Sequence, residues 1–410
     1  MSRLFNYLLM AMAACATLRC EQLAAQDQPS NQPTSQAGVI DDPYDFSTVP
    51  EIPDFQHPSE QEIKSAIQRG IQFLLRDQNK DGSWGSYVTS RDFEIYAPVP
   101  GAHYAFRSAV TAMCVMALLD SGEKSPEVQD AMERGIRWLL ENLPKVKRAN
   151  GDAIYNVWSH CYALECFGRL AVQEGLSEEK LSSYRLAMNA ELDRLNRYES
   201  IDGGWGYYDF RAQTRQPSGD SISFVNASIL IAMRFAEHAG VEPNENVVKR
   251  AVNATLRQQK RDLSYLYGEY LRTNPMLEIN RPGGSLARSQ ACNLAMRWYG
   301  DEKITDNVIK IWLIRLYTRN GWLDIGRKLP IPHESWMQVS GYFYYYGHYY
   351  AGLCIMELPV EERAPYQAML ARILVDRQEK NGCWWDYPMY NYHRQYGTAY
   401  ALMALQRCLP

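Results

Sequence analysis

A tryptophan with glycine one or two residues before it recurs at Trp84, Trp205, Trp322 and Trp384, at intervals of 121, 117 and 62 residues. These are close to two, two and one multiples of about sixty, a period that marks a tandem array. No feature constrains the chain more, because a repeated unit buries its apolar surface only against its neighbours. The period predicts degenerate copies near residues 144 and 264, and both places hold the end of a helical pattern, RGIRWLLENL at 134–143 and VVKRAVNATLRQQK at 247–260. In the first copy, Ile63, Ile67, Ile71 and Leu74 share one helical face. Asp81-Gly82 then stops the helix, since glycine tolerates the left-handed backbone that ends one.

Each amphipathic helix is followed by one that is apolar almost all round, at 109–119, 157–170, 224–235, 286–298, 341–356 and 397–405. A helix apolar on every side is buried, whereas a one-sided helix lies outside. Six such hairpins predict an all-α fold, an α6/α6 toroid of two concentric rings over residues 59–410. Closure is expected because the final segment, YGTAYALMALQRCL, is as apolar as the middle ones, and an open array needs polar end caps. No alternating run suggests a sheet.

Composition narrows the function. The 410 residues carry 43 Lys plus Arg against 47 Asp plus Glu, which excludes a polybasic nucleic-acid binder and a disordered acidic chain. Tyrosines number 28 against 11 phenylalanines, so many rings carry a hydroxyl that wants a partner or water, as in a ring-lined cavity. Residues 1–25 read as a secretory signal peptide: Arg3 precedes an apolar stretch, 4–18, shorter than the roughly 20 residues that span a bilayer. An uncleaved anchor, or lipidation at Cys15 within Met12-Ala13-Ala14-Cys15, is the alternative. The expected location is periplasmic or extracellular, with membrane contact only through a lipid or retained leader, since no later apolar run reaches spanning length. Residues 26–58, rich in Gln, Pro, Ser and Asp, predict a flexible tether. Their DDxxD, 41–45, contains Pro43 and has no helix to align carboxylates on magnesium. Seven cysteines follow the leader, five in apolar helical runs, without a CxxC. They predict buried thiols rather than disulfides or structural zinc.

The segment RGIQFLLRDQNKDGSW matches the QW repeat of the prenyltransferase and squalene-cyclase repeat family at Arg69-Gly70, Phe73-Leu74, Gln78, Gly82 and Trp84. Gly204 with Trp205, and Gln378, Gly382 and Trp384, repeat it. The chain thus resembles a divergent exported member of that family over about residues 60–410. The resemblance implies the α/α toroid of terpenoid cyclases and protein prenyltransferases, and a structural role for these residues in tying outer helices to the next turn. It does not carry the chemistry over, because function lives in sites grafted on folds. The DxDD acid of squalene and hopene cyclases is absent. His393 falls where a prenyltransferase zinc ligand would, but Val339-Ser340-Gly341-Tyr342 supplies neither the Asp nor the Cys. The thioester motif GCGEQ is also absent. No metal and no cofactor are expected.

Long links from outer to inner helices, at 85–107, 206–221, 261–288, 323–338 and 386–396, gather at one end of such a ring. Links of this length are often functional. Tyr342, Tyr345, Tyr346 and Tyr349 share helical spacing, with His348 beside them and His393, Tyr396 and Tyr400 extending the surface. They either bind a ligand or fill the ring's centre. Arg281 and Arg288 flank Pro282-Gly283-Gly284, as an anion clamp or an ordinary helix-start pair. Acid and base candidates are Asp209 with Asp220, and Glu334 with His333 and His393; Asp92, Glu94, Glu269, Glu278, Asp324 and Asp386 complete the link acids. Three functions fit. One is a binding protein for a glycan, peptide or prenyl-like ligand in the central cavity; the second is a polysaccharide lyase or hydrolase; the third is a divergent terpenoid cyclase or prenyltransferase.

Overall fold

A computed structural model describes residues 44–89, 100–209 and 216–409. The expected leader, residues 26–43 of the tether, and the acids Asp92 and Glu94 lie outside them. Among the described residues, six outer helices alternate with six inner ones. The outer set is α1 (Glu60–Asp77), α3 (Pro126–Asn142), α5 (Glu178–Tyr198), α7 (Glu245–Gln258), α9 (Asp306–Thr318) and α12 (Ala364–Asp376). The inner set is α2 (Pro100–Asp120), α4 (Asn156–Ala171), α6 (Ser223–His238), α8 (Leu286–Trp298), α11 (Phe343–Met356) and α13 (His393–Gln406). One short helix, α10 (Asn320–Gly326), interrupts the fifth link. Each inner helix packs on the next, and α13 packs back on α2, so the inner ring is closed. The fold is an α/α toroid, without a strand among the described residues.

Local chemistry sorts the two rings. Four outer helices begin on a capping side chain: Ser59, Ser177, Asn244 and Thr305 each accept a hydrogen bond from a first-turn N–H, satisfying donors that water would otherwise hold. The inner helices α4, α6, α8, α11 and α13 have no such cap and are buried nearly throughout. Inner α2 is long and apolar enough over the 20 residues Gly101–Asp120 to cross a membrane. That corrects the expectation that no later run reaches spanning length; here the helix is sheathed by the rest of the ring.

The seam between units recurs three times. Gln78 Nε2 donates to Gly82 O and to Ala131 O of the next outer helix, both at 2.8 Å. Gln378 Nε2 donates to Gly382 O at 2.9 Å and to Ala66 O at 2.8 Å. The second seam therefore joins the last unit to the first. Gly82, Gly203 and Gly382 all have φ between +92 and +95°, and a Cβ on each would strike the carbonyl of Arg134, Arg250 and Arg69. Trp84, Trp205 and Trp384 are fully buried, each indole N–H donating to a carbonyl of its own outer helix, Leu74, Leu195 or Leu374. Trp322 departs from the period: it lies in α10 and packs edge-on against Trp336, 4.8 Å between centroids. Tyr265 is fully buried in the fourth unit and its N–H donates to Ser285 Oγ, as the Trp84 N–H donates to Thr111 Oγ1.

All seven cysteines among the described residues are buried and unpaired. Residues 44–58, in the expected tether, are fastened along the outer ring. Phe46, Val49, Ile52 and Phe55 rest on the core, Asn307 donates to the carbonyls of Phe46 and Ser47, and the Arg315 guanidinium covers the Phe46 ring.

Candidate functional site

The N-terminal ends of the inner helices surround a cavity of about 150 Å³. From α2 come Phe106, Ala109, Val110 and Met113, at the i, i+3, i+4 and i+7 positions that share a helical face. Tyr155, Trp158 and Tyr162 come from α4 and its start, Phe224 from α6, and Tyr342, Phe343 and Tyr346 from α11 and its start. Tyr396 and Tyr400 of α13 close the ring, and the links add Tyr207, Tyr387 and Met389. Single antiparallel bridges stitch the links together: Ser86 with Asn391, Ala153 with Tyr208, and Ile222 with Gly268.

Eight of the sixteen lining residues are tyrosines, yet the hydroxyls of all but Tyr342 are spent on the protein. Tyr155 bonds Tyr208, Tyr162 bonds Tyr400, and Tyr207 bonds Tyr267. Tyr346 donates to Phe224 O at 3.0 Å, Tyr387 to Pro330 O at 2.9 Å, and Tyr396 to Asp386 Oδ1 at 2.7 Å. Tyr342 lies 3.3 Å from the Tyr267 hydroxyl and 3.4 Å from His333 Nε2. The wall therefore shows ring faces and edges rather than hydroxyls. Burial pushes the Tyr162, Tyr207, Tyr346, Tyr396 and Tyr400 phenols well above their usual range, so the lining carries no phenolate at neutral pH.

The aromatic stripe of α11 divides. Tyr342 and Tyr346 face the cavity with Tyr396 opposite. Tyr345 turns behind the wall, its N–H donating to Asp386 Oδ2 at 3.0 Å. Tyr349 donates to Glu165, a buried carboxyl raised by burial. His348 is buried between Tyr344 O and the Asn320 amide, and burial lowers it to about 4. Four residues of one helical face thus point to different neighbours, because a helix buried all round has no single inward side.

The arginine pair also separates. Arg281 is exposed and donates to Met276 O. Arg288 is fully buried, with its guanidinium over the rings of Tyr267 and Phe343. None of the acid and base candidates lines the cavity. Asp209 is buried, and although burial would raise it, hydrogen bonds from Arg148 and Ser218 at 3.0 Å hold its carboxyl below the usual range. It is a structural ion joining two links. Asp220 is half-buried on left-handed backbone at φ 70°, and Glu334 is exposed. His393 is buried, Nδ1 donating to Tyr390 O at 2.6 Å. Among the described residues, no three His, Cys, Asp or Glu side chains converge as a metal site would require.

The acid nearest the lining is Asp386, grouped at the sequence level only among the link acids. It is fully buried, and burial raises its carboxyl to about 7 despite hydrogen bonds from the Tyr345 N–H and the Tyr396 hydroxyl. Its signal was position: it sits in the last link, ten residues before Tyr396. Phe106 falls in a long link of the sequence, and Trp158, Tyr162 and Phe224 fall in buried helices whose aromatics look like any other core residues.

The sequence profile of the squalene-hopene cyclase C-terminal domain matches residues 47–274. Lanosterol synthase of Pneumocystis carinii is 26% identical over 212 residues, 47% of this chain and 28% of that protein. A probable squalene–hopene cyclase of Sinorhizobium fredii is 25% identical over 207 residues, 48% of this chain and 31% of that protein. The chain thus spans less than a third of the length of the curated relatives it matches. Among solved structures, a D-mannose isomerase superposes with a TM-score of 0.54 at 12% identity, over 86% of this chain and 99% of that one. That likeness concerns the fold.

Proposed function

The chain belongs to the squalene-hopene cyclase C-terminal domain family, and from that premise we propose that it binds a compact apolar, terpenoid-like molecule in the central cavity. The observation that carries this is the pairing of the tyrosine hydroxyls within the protein. A sugar brings a hydroxyl on nearly every carbon, and a wall whose polar groups are already matched leaves those hydroxyls unsatisfied. Ring faces instead offer dispersion contacts and apolar burial. A cavity of about 150 Å³ suits one ring-sized apolar group, since an engineered apolar cavity of about that volume stays dry and takes up benzene. The expected leader puts this binding outside the cytoplasm.

A second function is favoured by one group. Asp386 keeps its proton to near neutral pH and touches the cavity through Tyr396, so acid chemistry on a bound alkene has a proton source despite the missing DxDD.

One set of incubations tests both. Limonene is expected to raise the Tm of the protein but not that of Val110→Phe, which fills the cavity, while mannotriose raises neither. Stabilisation by mannotriose, or none by limonene, would refute the binding proposal. With geraniol as probe, a cyclised product that vanishes in Asp386→Asn supports the catalytic function; unaltered geraniol, or equal conversion by the variant, leaves binding alone.

A further inference from the structure

We propose that the natural ligand of this cavity carries an oxyanion, as in an apolar carboxylate, seated at the wall where Tyr342 stands in front of Arg288. The inference rests on the proposed apolar binding and adds the ligand's charge. Arg288 is fully buried in the first turn of α8. Its Nη1 donates to Gly284 O at 2.8 Å, and Nη2 donates to Tyr265 O at 3.0 Å and Ile279 O at 2.7 Å. Nε is buried without an acceptor. Burial lowers its guanidinium to about 10, and no carboxylate among the described residues forms an ion pair with it. A buried cation is ordinarily matched by an anion, and the N-terminus of a helix is the unfavourable end for one. Carbonyl dipoles hold this cation in place but do not neutralise it.

The uncompensated charge acts on the cavity. Its Cζ lies 5.6 Å from the centroid of Phe343, a wall residue, and 5.5 Å from that of Tyr267. A cation on one face of a ring repels a second positive group that approaches from the other. That wall therefore disfavours a cationic ligand and favours an anionic one. It also supplies a donor. His333 Nδ1 donates to Gln338 O at 2.7 Å, which leaves Nε2 as an acceptor 3.4 Å from the Tyr342 hydroxyl. That contact and the 3.3 Å approach to Tyr267 are both long for a hydroxyl hydrogen bond, whose usual length is about 2.7 to 2.8 Å. Tyr342 is thus the most loosely held of the lining phenols, and a rotating hydroxyl can turn its proton to a ligand oxygen.

The test uses two probes of similar size, 4-methylbenzoate and 4-methylbenzyl alcohol, titrated calorimetrically at pH 8. The carboxylate is expected to bind about tenfold more tightly than the alcohol, the scale of a charge interaction across one ring layer. Tyr342→Phe, which keeps the ring, and Arg288→Met are each expected to cut that preference, read as the ratio of the two affinities, to about threefold or less. Should Arg288→Met not fold, Tyr342→Phe decides. Equal binding of the two probes by the unaltered protein, binding of the alcohol alone, or a preference that survives Tyr342→Phe overturns the inference and leaves apolar binding standing. Binding of neither probe overturns both.

Discussion

Asp386 shows how one side chain couples the site to stability. Its carboxyl titrates near 4 in an unfolded chain and near 7 in the fold, where burial outweighs its two hydrogen bonds. The folded state therefore keeps a proton that the unfolded state releases. The stabilisation tied to this group is fully present below pH 4 and is lost as pH rises through about 7. In urea titrations from pH 4.5 to 8, the unaltered protein is expected to lose stability relative to Asp386→Asn, whose amide does not titrate and whose single oxygen keeps one of the two hydrogen bonds. Parallel curves for the two proteins would contradict a buried neutral carboxyl. Asp209 has the opposite character, because Arg148 and Ser218 hold it ionised. Both were visible in the sequence as acids in long links. Which one is a neutral proton carrier and which an ion-pair strut depends on neighbours 61 and 9 residues away for Asp209, and 41 and 10 for Asp386.

At the scale of elements, the seam is the unit of construction. The turn glycine and the buried indole, with a glutamine in two of the three seams, lock one outer helix to the next, and Gly382 does this across the junction of the last unit with the first. Gly382→Ala places a side chain on backbone at φ 92° and 2.5 Å from the Arg69 carbonyl. The expected loss is on the order of 2 kcal/mol, the cost of strain at a left-handed position plus displaced backbone. Gly82→Ala, at an internal seam, should cost a similar amount. A chemical-denaturation comparison checks this, and a much smaller loss for Gly382→Ala would mean that the closing seam is weaker than the internal ones. These turns were legible because glycine, glutamine and tryptophan at fixed offsets have few other uses together. Trp322 shared the spacing without the geometry, since residues 320–326 form a helix where the other copies turn.

For the whole molecule, the ring has no end, and each inner helix is walled by two others. Removing residues 357–410 takes away one hairpin and, with it, Tyr387, Met389, Tyr396 and Tyr400 of the cavity wall. A closed ring so opened exposes the apolar flanks of α2 and α11 and is expected to lose cooperative unfolding and its near-ultraviolet circular dichroism. An open array would shed a terminal repeat and keep a sharp transition. Persistence of that transition would contradict closure as the basis of stability. The sequence by itself determined the period, the sorting of helices into outer and inner, and hence a toroid, because apolar periodicity is a local property that each segment carries alone. Only the tertiary structure decided which aromatic rings meet at the axis, that their hydroxyls pair with one another, and that Asp386 and Arg288 stand behind the wall. Those facts arise from segments hundreds of residues apart brought to one point, and within a helix buried on every side no spacing rule tells the cavity face from the faces packed against protein.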